Sequence, residues 1–250
     1  MNPQRRFFIE GVHEVGGVVS LDRSDSHKIV HVLRLRSGDT IEAIDSAAQQ
    51  FEGRLDVGGD RVRAQLLLRR NGAQPASLEV SVAQAIPKGQ KMDFVVEKLT
   101  ELGVHAILPL TSERTIGSVG DDRKLARWQR LAKTAAQQCG RRAVPRIASP
   151  LQLEALCDRF SEYDAVLFPW ELAQRAPLRD ALPGIVGSAR RLLIVVGPEG
   201  GFSHQEAETA RTAGARVVSL GPRILRTETA ALFLCSALNY LTDPNDDGTR

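Results

Sequence analysis

The stretch Leu192-Leu-Ile-Val-Val-Gly-Pro-Glu-Gly-Gly-Phe-Ser203 decides how the rest of the chain is read. Leu192 to Val196 is an unbroken apolar run of strand length, the pattern of a strand buried on both faces. Gly197-Pro198 ends it, because proline donates nothing to a ladder. Gly200 and Gly201 follow, and Ser203 with Glu206 forms S-x-x-E, the signature of a helix start. A glycine-rich loop therefore joins the carboxyl end of a strand to the amino end of a helix, the place where α/β proteins bind ligands.

Moving outward, the pattern repeats. Leu78 to Ile86, Val104 to Leu110, Ala165 to Phe168 and Arg216 to Leu220 read as strands. Between and after them, helices are expected over Gln90 to Leu102, Arg123 to Gln138, Leu151 to Phe160, His204 to Ala213 and Thr229 to Leu241. Strands alternating with helices predict an α/β domain with a mostly parallel sheet. Residues 1–70 differ: short apolar stretches separated by glycine turns predict a small β-rich unit, a barrel. The exception there is Ser24 to Leu33, which reads as a short helix capped by Ser24. The polar stretch NGAQPAS at 71–77 is the expected linker, and DPNDDGTR at 243–250 reads as a frayed tail.

Bulk properties exclude several classes. The 250 residues are 42% hydrophobic and 25% charged, with no apolar run near the ~20 residues of a membrane span. The first residues lack the apolar core of a secretory signal. Cys139, Cys157 and Cys235 are too few and too scattered for a disulfide framework or a zinc site. A cytoplasmic protein with reduced thiols and no metal is expected. Net charge is only +3, but residues 109–147 carry nine Lys/Arg against three acids, a candidate polyanion footprint.

Three strands end in loops of similar kind: Phe168-Pro169, Gly197-Pro198-Glu199-Gly200-Gly201, and Leu220-Gly221-Pro222-Arg223-Ile224-Leu225-Arg226. In a parallel sheet these ends lie at one edge and can converge on one pocket. The pocket does not read as a phosphate site, since neither G-x-x-x-x-G-K-[ST] nor G-x-G-x-x-G is present and Glu199 opposes an anion. A ligand neutral or cationic at its working end suits the loop better. Glycines and backbone amides can grip an adenine there, with Leu220, Ile224 and Leu225 packing on its face.

The strings GPEGGFS at 197–203 and LGPRILRTETA at 220–230 closely resemble the SPOUT methyltransferases that use S-adenosylmethionine. The branch they resemble is RsmE, the 16S rRNA uracil-N3 methyltransferases. IPKGQKMDFVVEKLTELGV at 86–104, TSERT at 111–115, AAQQCGRRAVPRI at 135–147, and His27 with VLRLRSGD at 32–39 match as well, in the expected order. Gln137-Gln138 stands where an acid–Gln pair is more usual, and Thr115 where Ser is more usual.

The resemblance implies a PUA-like RNA-binding barrel over 1–72 and a SPOUT α/β domain over 73–250, with a deep trefoil knot at about 192–241. The general rule against threaded chains would argue the other way. It further implies a homodimer with cofactor sites at the dimer interface, and 16S rRNA, in the decoding region of the 30S subunit, as substrate. The implied cofactor walls are Phe168, Pro169, Val196, Gly197, Glu199, Gly200, Gly201, Leu220, Gly221, Ile224, Leu225, Thr227, Thr229 and Ala230. The donated methyl group is already activated by its sulfonium, so no metal is required. Arg226 is the expected cation for the developing uracil anion, with Arg114 next. Glu199 and Glu228 are the carboxylates in position to act as base or to hold the cofactor. Arg5, Arg6, His27, Arg34, Arg36, Arg114, Arg141, Arg142 and Arg146 are the expected RNA contacts, with His27 equally readable as a packed helix residue. Competing substrates are tRNA and 23S rRNA. A non-catalytic RNA-binding protein is disfavoured by the two intact pocket strings.

Overall fold

In the computed structural model, residues 5–58, 61–70, 78–115, 122–173 and 176–242 are described. The linker expected at 71–77 and the tail at 243–250 lie outside the described residues. The chain divides into two compact units: Met1–Pro75 with Lys133–Val144, and Ala76–Ala132 with Pro145–Arg250.

The first unit holds β1 (Arg6–Phe8), β2 (Val18–Ser20), α1 (Arg23–His27), β3 (Thr40–Ile44), β4 (Gln50–Gly58) and β5 (Arg61–Arg70). The strands form one sheet in the order β1-β3-β4-β5-β2, antiparallel except for β1 against β3. Alternation along β5 buries Val62, Ala64 and Leu66 beside Phe7, Ile41 and Phe51 and leaves Arg61, Arg63 and Gln65 outside. The expected helix at 24–33 exists, but its cap is Asp22, whose carboxylate accepts from the Asp25 amide at 2.7 Å. Ser24 lies inside the first turn. The helix continues as a π-helical turn over Lys28–Val32, with Ile29 in the core.

The second unit contains β6 (Glu79–Ala85), α2 (Lys91–Glu101), β7 (Ala106–Thr111), α3 (Asp122–Cys139), β8 (Arg146–Ile147), β9 (Leu151–Gln152), α4 (Leu153–Cys157), β10 (Ala165–Pro169), α5 (Leu178–Val186), β11 (Arg191–Val196), α6 (His204–Thr212), β12 (Arg216–Val218) and α7 (Thr227–Thr242). The last residues of α3, from Lys133, belong to the first unit. The sheet order is β12-β10-β11-β6-β7-β8, with β9 also on β7, and every pairing is parallel. β11 sits between β10 and β6, and Leu192 to Val196 are all buried, which is why they read as an unbroken apolar run.

Three elements differ from the sequence reading. The helix expected over Leu151 to Phe160 is a two-residue strand, then α4, then a 3₁₀ turn at Phe160–Glu162. Helix α5 carries Pro183 and Gly184, which mask a helix in sequence, yet it packs Leu178, Leu182 and Ile185 inward. β12 stops at Val218, and Ser219 instead bridges to Pro177.

In the first unit Arg6 does not face outward. Register places it opposite Glu42, and the two form a bidentate pair at 2.7 and 3.0 Å. A third guanidinium nitrogen donates to the Arg141 carbonyl at 3.2 Å. The Glu42 side chain is 3% exposed, so its charge depends on Arg6. Replacing Arg6 by Ala is expected to destabilise the protein by about 3 kcal/mol in urea unfolding, because it strands a buried carboxylate. The double variant Arg6→Met/Glu42→Leu is expected to recover most of that loss.

Candidate active site

A cleft of about 1000 Å3 opens at the carboxyl edge of the second unit's sheet. Its position follows from topology. β12, β10 and β11 are adjacent and parallel, so the loops after Val218, Pro169 and Val196 leave the sheet at one edge. Pro169, Val196, Gly197, Glu199, Gly200, Gly201, Leu220, Gly221, Ile224, Leu225, Arg226, Thr227 and Ala230 line the cleft.

Two wall residues expected from sequence do not line it. Phe168 is fully buried and stacks on Phe202 at 4.3 Å between ring centroids. The Phe168 ring is taken up in the core cluster with Phe202, while Pro169 at the strand end lines the cleft. Thr229 is exposed on α7 and lies off the cleft. Conversely, Trp170, Glu171, Leu172, Pro177, Phe202 and Ser219 line the cleft and were not picked out in sequence. The signal for Trp170 and Glu171 was available: they follow Pro169 at one of the three strand ends. Pro177 and Ser219 come together through a bridge between segments 42 residues apart, which leaves no local trace.

The loop at 197–202 is shaped by close approach. A Cβ at Gly197 would lie 2.9 Å from the Phe202 ring. At Gly201, φ is +67° and a Cβ would lie 2.3 Å from Oε1 of Glu171. The loop is then fastened at several points. Ser203 and Glu206 form the expected capping box, with the Ser203 amide donating to Glu206 at 2.8 Å and the Glu206 amide to Ser203 Oγ at 3.2 Å. The other Glu206 oxygen accepts the Glu113 amide at 2.9 Å. Arg114 donates to the Gly200 carbonyl at 2.9 Å, and Trp170 Nε1 to the Phe202 carbonyl at 3.2 Å. The TSERT segment thus holds the glycine loop from outside, and the Arg114 guanidinium is engaged there.

Glu199 is also engaged. One carboxylate oxygen accepts from the Lys88 amide at 3.1 Å and from Lys91 Nζ at 3.2 Å, while Lys91 also faces Glu228 at 3.7 Å. Partial burial works against the Glu199 charge, but hydrogen bonds from its own amide, the Lys88 amide and Lys91 outweigh it and hold the carboxyl below its ordinary value. A carboxylate held ionised in this way is a weak base. Arg226 forms no ion pair with Glu199 or Glu228 among the described residues: Lys91 faces both acids. Arg226 is exposed, lines the cleft, and makes no ion pair among the described residues.

The other basic candidates fall as follows. In the first unit, Arg6 is committed to Glu42, Arg5 is half-buried, and His27, Arg34 and Arg36 are exposed, with the His27 ring 4.6 Å from that of His31. Arg142 is half-buried and carries a buried guanidinium nitrogen with no hydrogen-bond partner among the described residues; Arg141 beside it is also half-buried. Arg146 opens β8, level with Ala106 at the start of β7. It therefore lies toward the amino edge of the sheet, away from the cleft, and it adds a smaller part to the lowering of the Glu162 pKa that the Arg159 hydrogen bond chiefly causes.

The cleft suits a methyl donor built on an adenosine. Its walls are apolar at Val196, Leu220, Ile224, Leu225 and Ala230, and its loop backbone carries no side chain at Gly197, where the Phe202 ring lies close, nor at Gly201, which holds a positive φ. No helix of the described residues is long and apolar enough to cross a membrane, and no group of three or more potential metal ligands occurs among them.

Comparison with known proteins follows the same line. Residues 74–239 match the family model described as an RNA methyltransferase domain. The ribosomal RNA small subunit methyltransferase E of Bacillus subtilis is 34% identical, covering 96% of this chain and 97% of its own. That of Synechocystis is 30% identical, over 92% of this chain and 75% of its own. The crystal structure of a ribosomal RNA small subunit methyltransferase E from Neisseria gonorrhoeae bound to S-adenosyl methionine superposes with a TM-score of 0.84 at 33% identity, covering 95% of this chain and 97% of that one.

The Glu199 anchor has a pH signature. Its carboxyl sits lower in the folded chain than in the unfolded one, so the anchor acts above the ordinary glutamate range and is lost as pH falls through the lowered value. Hydrogen exchange at the Lys88 amide is expected to show constant protection from neutral pH down to about pH 5 and loss on further acidification. Glu199→Gln is expected to abolish that pH dependence.

Proposed function

Because the chain belongs to the RNA methyltransferase family that includes the ribosomal RNA small subunit methyltransferases E, we propose that it methylates N3 of a specific uridine in the decoding region of 16S rRNA. S-adenosylmethionine is the methyl donor. The observation that carries this reading is the cleft itself, where the GPEGG loop and the LGPRILRT loop face one space at the carboxyl edge of adjacent parallel strands.

When bound, the donor supplies a methyl group made electrophilic by a positively charged sulfur. The residues of this chain then have two tasks. Val196, Leu220, Ile224, Leu225 and Ala230 hold the adenosine part against the glycine backbone. Arg226, charged and without a carboxylate partner among the described residues, faces the uracil carbonyls. The N3 proton would leave to water as negative charge builds on N3 and the ring oxygens, and N3 would then take the methyl group as the methyl–sulfur bond breaks, its electron pair staying on the sulfur, which departs as a neutral thioether. A fixed cation there stabilises that charge. Glu199, held ionised by Lys88 and Lys91, and Arg114, bound to the Gly200 carbonyl, keep the loop in shape.

The finer parts of the reading rest on the family resemblance. They are a PUA-like barrel over 1–72, a SPOUT domain over 73–250 and a trefoil knot at about 192–241. A homodimer is supported by Phe94 on α2 and by Phe233, Tyr240 and Leu241 on α7, apolar side chains 45 to 73% exposed on two helices that pack together. His27, Arg34, Arg36 and Arg142 are the phosphate-contact candidates of the first unit. The 30S subunit, in the cytoplasm, is the proposed place of action.

Methyl transfer from labelled S-adenosylmethionine is expected on 30S subunits or naked 16S rRNA, with 3-methyluridine found by mass spectrometry. Methylation confined to tRNA or 23S rRNA would replace the substrate, and none at all would favour a binding protein. Arg226→Ala is expected to lower kcat about a hundredfold while leaving donor affinity within a few fold.

A further inference from the structure

Gln84 is fully buried on β6, in register with Val196 and so beside the root of the glycine loop. Its amide nitrogen donates to Thr227 Oγ1 at 2.7 Å and to the Ala85 carbonyl at 3.1 Å. The Thr227 hydroxyl, 5% exposed, in turn donates to the Gly197 carbonyl at 2.5 Å. Three segments meet in this chain of hydrogen bonds: the end of β6, the first residue of α7 and the first residue of the loop after β11. Thr227 lines the cleft and directly follows Arg226.

The arrangement is polar in a place where the sheet is otherwise apolar. The oxygen of the Gln84 amide, Oε1, is buried without a partner among the described residues. An unsatisfied buried acceptor is unfavourable for folding, so stability alone does not explain a glutamine there. What the glutamine does provide is a donor that fixes the Thr227 hydroxyl, leaving its hydrogen free to point at Gly197.

We propose that Gln84 and Thr227 are positioning residues: their relay pins the Gly197 carbonyl and so sets the shape of the glycine loop that receives the methyl donor. The relay acts from beneath, while Arg114, Glu206 and Trp170 fasten the far end of the same loop. Gly201 closes that loop by donating to the Pro198 carbonyl at 3.0 Å, so its amide reports whether the loop is held. This inference rests on the reading of the cleft as the S-adenosylmethionine site.

The test uses the full chain with Thr227→Val, Thr227→Ser, Gln84→Met and the double variant Gln84→Met/Thr227→Val, each checked for folding by circular dichroism. In the ligand-free protein, Thr227→Val is expected to speed hydrogen exchange at the Gly201 amide about tenfold. Calorimetry is expected to give donor binding about tenfold weaker, ~1.4 kcal/mol. Thr227→Ser, which keeps the hydroxyl, is expected to recover most of both losses. Gln84→Met is expected to act in the same direction, and the double variant to lose less than the two singles combined. Unchanged exchange at Gly201 in Thr227→Val, or a serine variant as impaired as the valine one, would overturn the relay. Additive losses in the double variant would overturn it too. Failure of the wild type to bind S-adenosylmethionine would instead overturn the reading of the cleft, and the exchange arm would still decide the relay. If Thr227→Val does not fold, Gln84→Met breaks the same chain from its other end, and unchanged exchange there would be decisive against it.

Discussion

Everything at the cleft depends on β11 being paired on both sides in parallel. A strand hydrogen-bonded to β6 and β10 and covered on both faces has no freedom to shift register, because a one-residue slip would turn every side chain over. Its carboxyl end is therefore a fixed point, and β10 and β12 deliver their own ends to the same edge. The cleft is the space those three ends leave. Its walls are largely backbone and small or apolar side chains, and its shape relies on glycines at 197 and 201 that a Cβ would disrupt. Specificity built from backbone needs the backbone held still, and the polar side chains nearby serve that end.

This changes how the charges are read. A pocket lined by several ionisable residues invites the view that each one touches ligand. Here most are occupied. Glu199 is spent on Lys88 and Lys91, Glu206 on the cap and the Glu113 amide, and Arg114 on the Gly200 carbonyl. What remains toward the cleft among the described residues is Arg226, Arg223 and Glu171, charges that enter no ion pair there. A charge that has no structural partner keeps its field for whatever enters, whereas a paired charge has already been largely cancelled. The part proposed for Arg226 rests on its place in the motif, directly before Thr227, together with its exposed position in the cleft, which Arg223 shares.

Much of this was legible in the sequence, for identifiable reasons. The run 192–196 is buried on both faces, so periodicity was simple. The capping box at Ser203 and Glu206 is a local interaction of adjacent residues, and it stands as read. The three strand ends could be placed at one edge because parallel strands force it. What was missed is non-local or self-contradictory. Arg6 finds Glu42 across 36 residues of sequence. Phe168 lies in the core against Phe202 and not among the cleft-lining residues, a packing that the motif string alone does not reveal. Arg146 shared a motif with Arg141 and Arg142, but strand direction carries it to the other edge. Helix α5 was hidden by Pro183 and Gly184, residues that argue against a helix wherever tertiary packing does not override them.

The basic segment 109–147 shows why a charge count is a poor guide to a footprint. Its nine Lys/Arg against three acids suggest a free polyanion surface. Yet Lys133 sits between Asp22 and Asp25 of the first unit, 2.5 and 2.7 Å away. Burial works against its charge, but those two acids outweigh burial and raise its pKa. Arg127 bonds Asp93, and Arg114 bonds a backbone carbonyl. Gln137, where an acid is more usual, donates to Asp25 at 3.0 Å and accepts from Lys28 at 3.1 Å, serving both signs with one neutral amide. An acid there would set a second negative charge against the Asp25 carboxylate, which is already buried. Of that charge, Lys133 goes into holding α1 against the end of α3, with the neutral Gln137 beside it. Arg34 and Arg36, exposed in the first unit, enter no ion pair among the described residues, so their charge is left uncancelled where that of Lys133 is not.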